Sequence, residues 1–256
     1  MKIIVKIGTN LLTQNDGSVN KKLVGVIARD IVSIMKKGYS VIIVTSGAIG
    51  AGMGRVGITK RPSVLKEKQA LAAIGQPILM SIYKRVFSKY KIPVAQVLVT
   101  RRDFDERHTL ANARNTLLEL MAMKVVAIIN ENDTVAVEEI NFGDNDTLAA
   151  NVCVCVGASL LLLLTDVDGL YKGVPGKSEL ICSVNKITRE HEGYASSKSS
   201  SGKGTGGMST KISAAKIATT SGIKTVIANG RVKGVISKVA LGEKIGTHFE
   251  CNSSGR

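Results

Sequence analysis

Two lysines stand where a solvated lysine has no reason to be. Lys6 interrupts the apolar stretch "IIVKIGT" and is followed by Gly8, a residue at which backbone can come close to a ligand. A lysine in such a place sits either at a sheet edge or against a phosphate. Lys211 falls in the first turn of a helix that the pattern starts near Met208, where a positive charge is disfavoured unless an anion is bound beside it. The segment before it, "GTGGMSTK" (204–211), is rich in glycine, so backbone N–H groups and a helix N-terminus can meet that anion. A linker followed by a solvated lysine is the plainer alternative for this segment. Taken together, the two lysines favour a phosphate.

The glycine spacing itself is less informative. Gly202, Gly204 and Gly207 satisfy G-x-G-x-x-G, but a Ser/Lys-rich stretch precedes them and no acidic residue follows until Glu243, so the dinucleotide signature fails. The P-loop pattern also fails, because no Gly-Lys pair lies at the required distance. A second match, Gly52, Gly54 and Gly57, runs into "ITKRP" rather than opening a helix.

Other polar groups could hold a substrate. In "TSGAIGAGMG" (45–54), Ser46 and the amides of Gly47 and Ala48 suit a carboxylate, while a glycine turn chosen for close packing explains the same residues. Asp133, Asp144, Asn145 and Asp146 gather carboxylates and a carboxamide suited to an ammonium group or to Mg²⁺. Turn chemistry and an N-cap by Asn145 account for part of that cluster, but not for Asp133. His108, His191 and His248 show no metal-ligand spacing and read as single surface histidines. Anion-holding groups are thus plentiful, and no base or nucleophile stands out. Phosphoryl transfer to a carboxylate fits that inventory, since the acceptor is already ionised at pH 7 and needs positioning and charge neutralisation.

The elements that must place these groups alternate regularly. Strands are expected at 3–8, 41–47, 93–99, 125–130, 160–166 and 224–230. Helices are expected at 21–37, about 64–90, up to about 123, 147–156 and from about 208. A hairpin is expected over 134–146 and a mobile loop over 196–207. Strands apolar on both faces and separated by helices imply an α/β fold: a three-layer αβα sandwich around a mostly parallel sheet. Ligands of such sheets bind outside the carboxyl ends of the strands. The polar clusters Lys6–Thr9, Thr45–Gly47, Asn130–Asp133 and Thr165–Asp166 fall there.

Composition bounds the rest. No apolar run approaches the ~20 residues of a membrane span, and no signal-peptide layout opens the chain. The four cysteines lack C-x-x-C spacing, so Cys153 and Cys155 are expected as buried thiols and the compartment as a reducing cytoplasm. The net charge of +15 invites a nucleic-acid partner, but the lysines are scattered and aromatics are scarce, so an anionic substrate is the better explanation.

On these residues the chain resembles the amino acid kinase family, and within it the branch that phosphorylates free glutamate. The matching blocks are "KIGTNLLT" (6–13), "VTSGAIGAG" (44–52), "KQALAAIGQ" (68–76), "LVTRRDF" (98–104), "NARNTL" (112–117), "INENDTVA" (129–136), "FGDNDTLAA" (142–150), "LLLLTDVDGLY" (161–171) and "GTGGMSTKISAA" (204–215). The resemblance implies ATP-dependent phosphorylation of the γ-carboxylate of L-glutamate to L-glutamyl 5-phosphate, the first step of proline synthesis. It implies that Lys6 and Lys211 stabilise the phosphoryl group in flight while Asp146 holds them in place. Ser46, Gly47, Ala48, Asp133 and Asn145 would bind glutamate. Lys6, Gly8, Thr165, Asp166, Thr205, Gly206, Gly207, Met208, Ser209, Thr210 and Lys211 would hold ATP with Mg²⁺, with no direct protein ligand to the metal assigned. It further implies proline as a feedback inhibitor at the glutamate site, a homo-oligomer (dimer or tetramer), functional coupling to glutamyl phosphate reductase, and neither nucleic acid nor membrane as partner. A single kinase domain is expected over 1–256, with a glutamate-binding part to about 160 and an ATP-binding part over about 161–250. The C-terminal PUA domain of many members is expected to be absent. The Ser/Lys-rich approach "EGYASSKSSSGKG" (192–204) departs from the family pattern and blurs the start of the ATP loop.

Overall fold

The computed structural model describes residues 1–14, 17–135, 145–196 and 207–251. In chain order its elements are β1 (Lys2–Ile7), α1 (Thr9–Leu12), α2 (Lys21–Met35), β2 (Ser40–Val44), α3 (Ala48–Val56), α4 (Leu65–Ser88), β3 (Val94–Val99), α5 (Arg102–Asp105), α6 (Arg107–Ala122), β4 (Val126–Glu131), α7 (Asn145–Val156), β5 (Leu160–Thr165), β6 (Ser183–Val184), α8 (Arg189–Ser196), α9 (Met208–Thr220), β7 (Lys224–Asn229), α10 (Val235–Ala240) and β8 (Thr247–Phe249). The hairpin expected over 134–146 and the loop expected over 196–207 lie almost entirely outside the described residues, as do Asp144, Thr205 and Gly206.

The strands form one eight-stranded sheet in the order β3-β4-β2-β1-β5-β7-β8-β6. β1 lies inside it, parallel to β2 on one side and to β5 on the other. Pairing stays parallel out to β3 and to β7, and turns antiparallel only where β8 meets β7. Strand order therefore reverses around β1, and the crevice at the carboxyl ends of β1, β2 and β5 is where such sheets bind ligands.

Alternation along β1 separates two cores. Ile3, Val5 and Ile7 pack with Ile27 and Ile31 of α2, Leu79 and Tyr83 of α4, and Val235 and Val239 of α10. Ile4 faces the other way, toward Leu117 of α6, Val152 and Cys153 of α7, and Ala214 and Ala218 of α9. Three layers result. Asn20 starts α2 by accepting the Leu23 N–H at 3.1 Å. The N-terminus of α10 is satisfied from far away: the Asp30 carboxylate of α2 accepts the N–H groups of Ile236 (2.7 Å) and Ser237 (3.1 Å).

Several elements differ from the sequence expectation. "TSGAIGAGMG" leads into a helix, α3, rather than a turn. The glycines inside it serve packing. A Cβ on Gly52 would lie 2.0 Å from the Leu71 carbonyl oxygen, and one on Gly75 would lie 1.8 Å from that of Ala48, so α3 and α4 touch backbone to backbone. Gly57 closes α3 in the left-handed region at φ 76°. The second G-x-G-x-x-G thus records a helix crossing and a helix end. Gly75→Ala is expected to cost about 3 kcal/mol, the upper end of ordinary overpacking, since carbonyl oxygens rather than mobile side chains stand in the way; thermal unfolding measures it. The edge strand β6, its neighbour β8 and the short α10 were not anticipated. His248 is a correction: it is not a surface histidine but lies buried in β8, its ring bonded to the Ile245 carbonyl at 3.1 Å, and burial together with Lys224 lowers its pKa. Cys153 and Cys155 are buried free thiols.

Candidate active site

Because Lys6 shares the face of Ile4, it projects from the end of β1 toward α7 and α9. Those helices bring Asp146 and Lys211 to it. Lys6 Nζ lies 2.6 Å from Asp146 Oδ1, and Lys211 Nζ lies 3.0 Å from Asp146 Oδ2. All three are buried, at 4 %, 0 % and 5 % exposure for Lys6, Asp146 and Lys211. Burial opposes ionisation of Asp146, but the two flanking ammonium groups and their hydrogen bonds outweigh it and hold the carboxyl well below the usual range. Thr210 donates to Oδ2 of the same carboxylate at 2.9 Å, and Lys211 also reaches the Gly207 carbonyl at 3.4 Å. The triad carries two cations for one anion, buried at the carboxyl end of β1.

At the end of β2, Gly47 takes the left-handed conformation, φ 95°, which turns the chain from Ser46 into α3 at Ala48. Across from this turn, Asn145 at the start of α7 points its amide nitrogen at the Thr45 carbonyl (2.7 Å), the Ser46 hydroxyl (3.0 Å) and Asn130 Oδ1 (2.9 Å). Its own Oδ1 is buried and accepts no hydrogen bond. The side chain therefore does not cap α7, and an acceptor is left waiting for a donor.

Asp133 follows β4. Burial pushes its pKa up to about 6, against the pull of the Arg61 charge. At the end of β5, Thr165 donates to Asp166 Oδ1 and Asn10 donates to Oδ2, each at 3.2 Å. The Gly8 N–H is taken by the Leu164 carbonyl at 3.1 Å, so this glycine ties β1 to β5. In the α9 segment Met208 packs against the core and Ser209 is exposed. No grouping of three His, Cys, Asp or Glu side chains fit for a metal exists among the described residues.

The structure thus gathers Lys6, Asp146, Lys211 and Thr210 in one cluster and links Ser46 with Asn145 in another. Sequence reasoning passed over Asn10, Arg61, Gln76 and Gln96. Gln76 of α4 bonds both Asn130 and Gln96 of β3, at 2.9 Å each. Only Asn10 carried a signal, its place two residues beyond Gly8 in the helical turn α1 that follows β1.

The molecule is thus an αβα sandwich with two buried lysines and one carboxylate at the end of its central strand, and comparison with known proteins places it in a family. A profile of the amino acid kinase family matches residues 1–229, and the chain belongs to that family. Its relatives include the glutamate 5-kinase of Caldanaerobacter subterraneus subsp. tengcongensis, 48% identical over 251 residues, covering 97% of this chain and 68% of that protein. The glutamate 5-kinase of Clostridium tetani is 44% identical over 250 residues, covering 96% of this chain and 93% of that protein. Among solved structures, the UMP kinase of Bacillus anthracis superposes with a TM-score of 0.64 at 17% identity, covering 98% of this chain and 96% of the other. That last likeness concerns the fold.

Proposed function

We propose that this chain transfers the terminal phosphoryl group of ATP to the γ-carboxylate of L-glutamate, giving L-glutamyl 5-phosphate, the opening step of proline synthesis. The observation that carries the proposal is the buried Lys6–Asp146–Lys211 triad, with its excess of positive charge beside groups suited to an amino acid. A γ-carboxylate oxygen forms the new bond to phosphorus while the bond to the bridging oxygen of ADP breaks. No proton moves, because the acceptor is ionised at pH 7. What the protein supplies is alignment and charge: Lys6 and Lys211 neutralise the oxygens of the transferring group, and Asp146 keeps both ammonium groups aimed at it.

Glutamate is held by Ser46, the Gly47 and Ala48 amides, Asp133 and Asn145, the last two suiting its ammonium group. ATP lies along Gly8, Thr165, Asp166 and the segment 205–211. Mg²⁺ enters with ATP: the donor set, Asp166 beside Asn10 and no carboxylate cage among the described residues, fits an ion that keeps its waters and phosphate ligands. When bound, it neutralises phosphate charge. The reading extends to an acceptor half before about residue 160 and a nucleotide half after it within one domain. It also extends to a homo-oligomer in the cytoplasm, competition by proline at the glutamate site, and hand-over of the labile acyl phosphate to glutamyl phosphate reductase. Among the described residues no helix is long and apolar enough to cross a membrane.

The test is ATP turnover with glutamate, aspartate, N-acetylglutamate or UMP, the acyl phosphates being trapped by hydroxylamine. A hydroxamate with glutamate alone supports the proposal; turnover with another acceptor and none with glutamate overturns it. The same assay reads Asp133. As pH falls through about 6 its carboxylate takes up a proton and loses its hold on the ammonium group, so kcat/KM for glutamate declines toward tenfold per pH unit. Asp133→Asn removes this acid limb and raises glutamate KM; a limb unchanged in that variant assigns the titration to another group.

A further inference from the structure

Four carboxamides are wired head to tail, leading away from the glutamate pocket. Asn145 donates to Asn130 Oδ1, Asn130 Nδ2 donates to Gln76 Oε1, and Gln76 Nε2 donates to Gln96 Oε1, each at 2.9 Å. The direction of the chain is fixed at its inner end. Only a donor can face the Thr45 carbonyl, so the Asn145 nitrogen must point there and its oxygen must point away. Thr45 itself is anchored, its N–H on the Ile129 carbonyl and its hydroxyl 2.9 Å from that of buried Tyr83. Asn130 and Gln76 are buried, whereas Gln96 on β3 is exposed. The wire therefore runs from the pocket to the solvent, with every N–H pointing outward.

Such an array has a polarity. Amide dipoles aligned by hydrogen bonds reinforce one another, and an amide that donates becomes a better acceptor at its own oxygen. The oxygen at the head is Asn145 Oδ1, the buried acceptor without a partner. It can receive a donor and cannot receive a carboxylate. Resting on the reading of this pocket as the glutamate site, we propose that Gln76 is a positioning residue for substrate recognition: through Asn130 it aligns a carboxamide chain whose negative end, Asn145 Oδ1, accepts the ammonium group of glutamate. In this reading Asp133 supplies charge and the wire supplies direction. A site built to hydrogen-bond an ammonium group rejects an analogue that lacks one, because its acceptor is then left buried and unpaired.

The experiment compares L-glutamate with glutarate, which keeps both carboxylates and lacks the ammonium group, in the full chain with ATP. Gln76→Met removes both amide contacts at similar length. Its expected result is a glutamate KM raised about tenfold, kcat and the KM for ATP within about twofold of wild type, and kcat/KM for glutarate unchanged, so that the preference for glutamate falls about tenfold. Gln76→Glu keeps an acceptor for Asn130, and Gln96 can turn its NH₂ toward it; this variant is expected to recover most of the preference. If Gln76→Met does not fold, Gln96→Ala decides, with a smaller shift of the same sign expected. Equal losses on both acceptors, an unchanged preference, or a Gln76→Glu enzyme as impaired as Gln76→Met overturns the inference. Wild type inactive on glutamate overturns the assignment of the pocket and the inference with it; an active wild type with equal losses in the variants overturns the inference alone.

Discussion

Lys211→Ala turns over glutamate about 10²–10³-fold more slowly than wild type, with glutamate KM changed little, and Lys6→Ala behaves alike. The magnitude is that of removing one preorganised donor from a developing oxyanion. The kcat-specific signature follows from placement, since the two ammonium groups pair with Asp146 rather than with the residues proposed to hold glutamate. Folding should survive. The triad holds two cations for one carboxylate, so loss of either lysine leaves a balanced buried pair. Steady-state kinetics with glutamate varied at saturating ATP, beside a thermal melt, checks both halves. Near-normal turnover in either variant would remove that lysine from the transfer step.

Asp146→Ala gives the opposite pattern. It leaves two buried ammonium groups facing each other with no counter-charge, and breaking a buried pair from one side costs about 3–5 kcal/mol. In a chain of this size that lowers Tm by roughly 10 °C. The pH dependence has a definite sign. The native pKa of Asp146 is depressed below its unfolded value of 3.8, so the unfolded chain binds the extra proton. Its contribution is fully present above about pH 4 and is lost as pH falls through the depressed native value. Denaturant titrations at neutral and strongly acid pH should show the gap between wild type and variant closing toward the acid end. A variant as stable as wild type at pH 7 would mean that the lysines find another counter-charge.

Much of the frame was legible because two signals coincide. Runs such as "VIIVTSG" and "LLLLLTD" are apolar on both faces and end on small polar residues, which marks both a buried parallel strand and the place where ligands meet it. What stayed hidden depends on contacts between segments far apart in sequence. α3 looked like a turn because its glycines answer to α4, not to their own backbone. α10 is six residues long, and the carboxylate that starts it, Asp30, lies 206 residues before Ile236. His248 looked like a lone polar residue because β8 is three residues long and lies in a sheet whose other members come earlier. Gln76 and Gln96 carry no local mark that sets them apart from other amides. Nothing local says that they meet at Asn130.

β1 carries Lys6 in the interior of the sheet, and its partner β5 begins at Leu160, opposite Ile3. On a ribosome adding about 5–20 residues per second, that pairing waits about 8–30 s after β1 emerges. Until then β2, β4 and β3 can close only one side, and the other side of β1 is a raw edge of the kind that captures foreign strands. The strand that bears the first lysine of the triad thus keeps one adhesive edge until β5 is made.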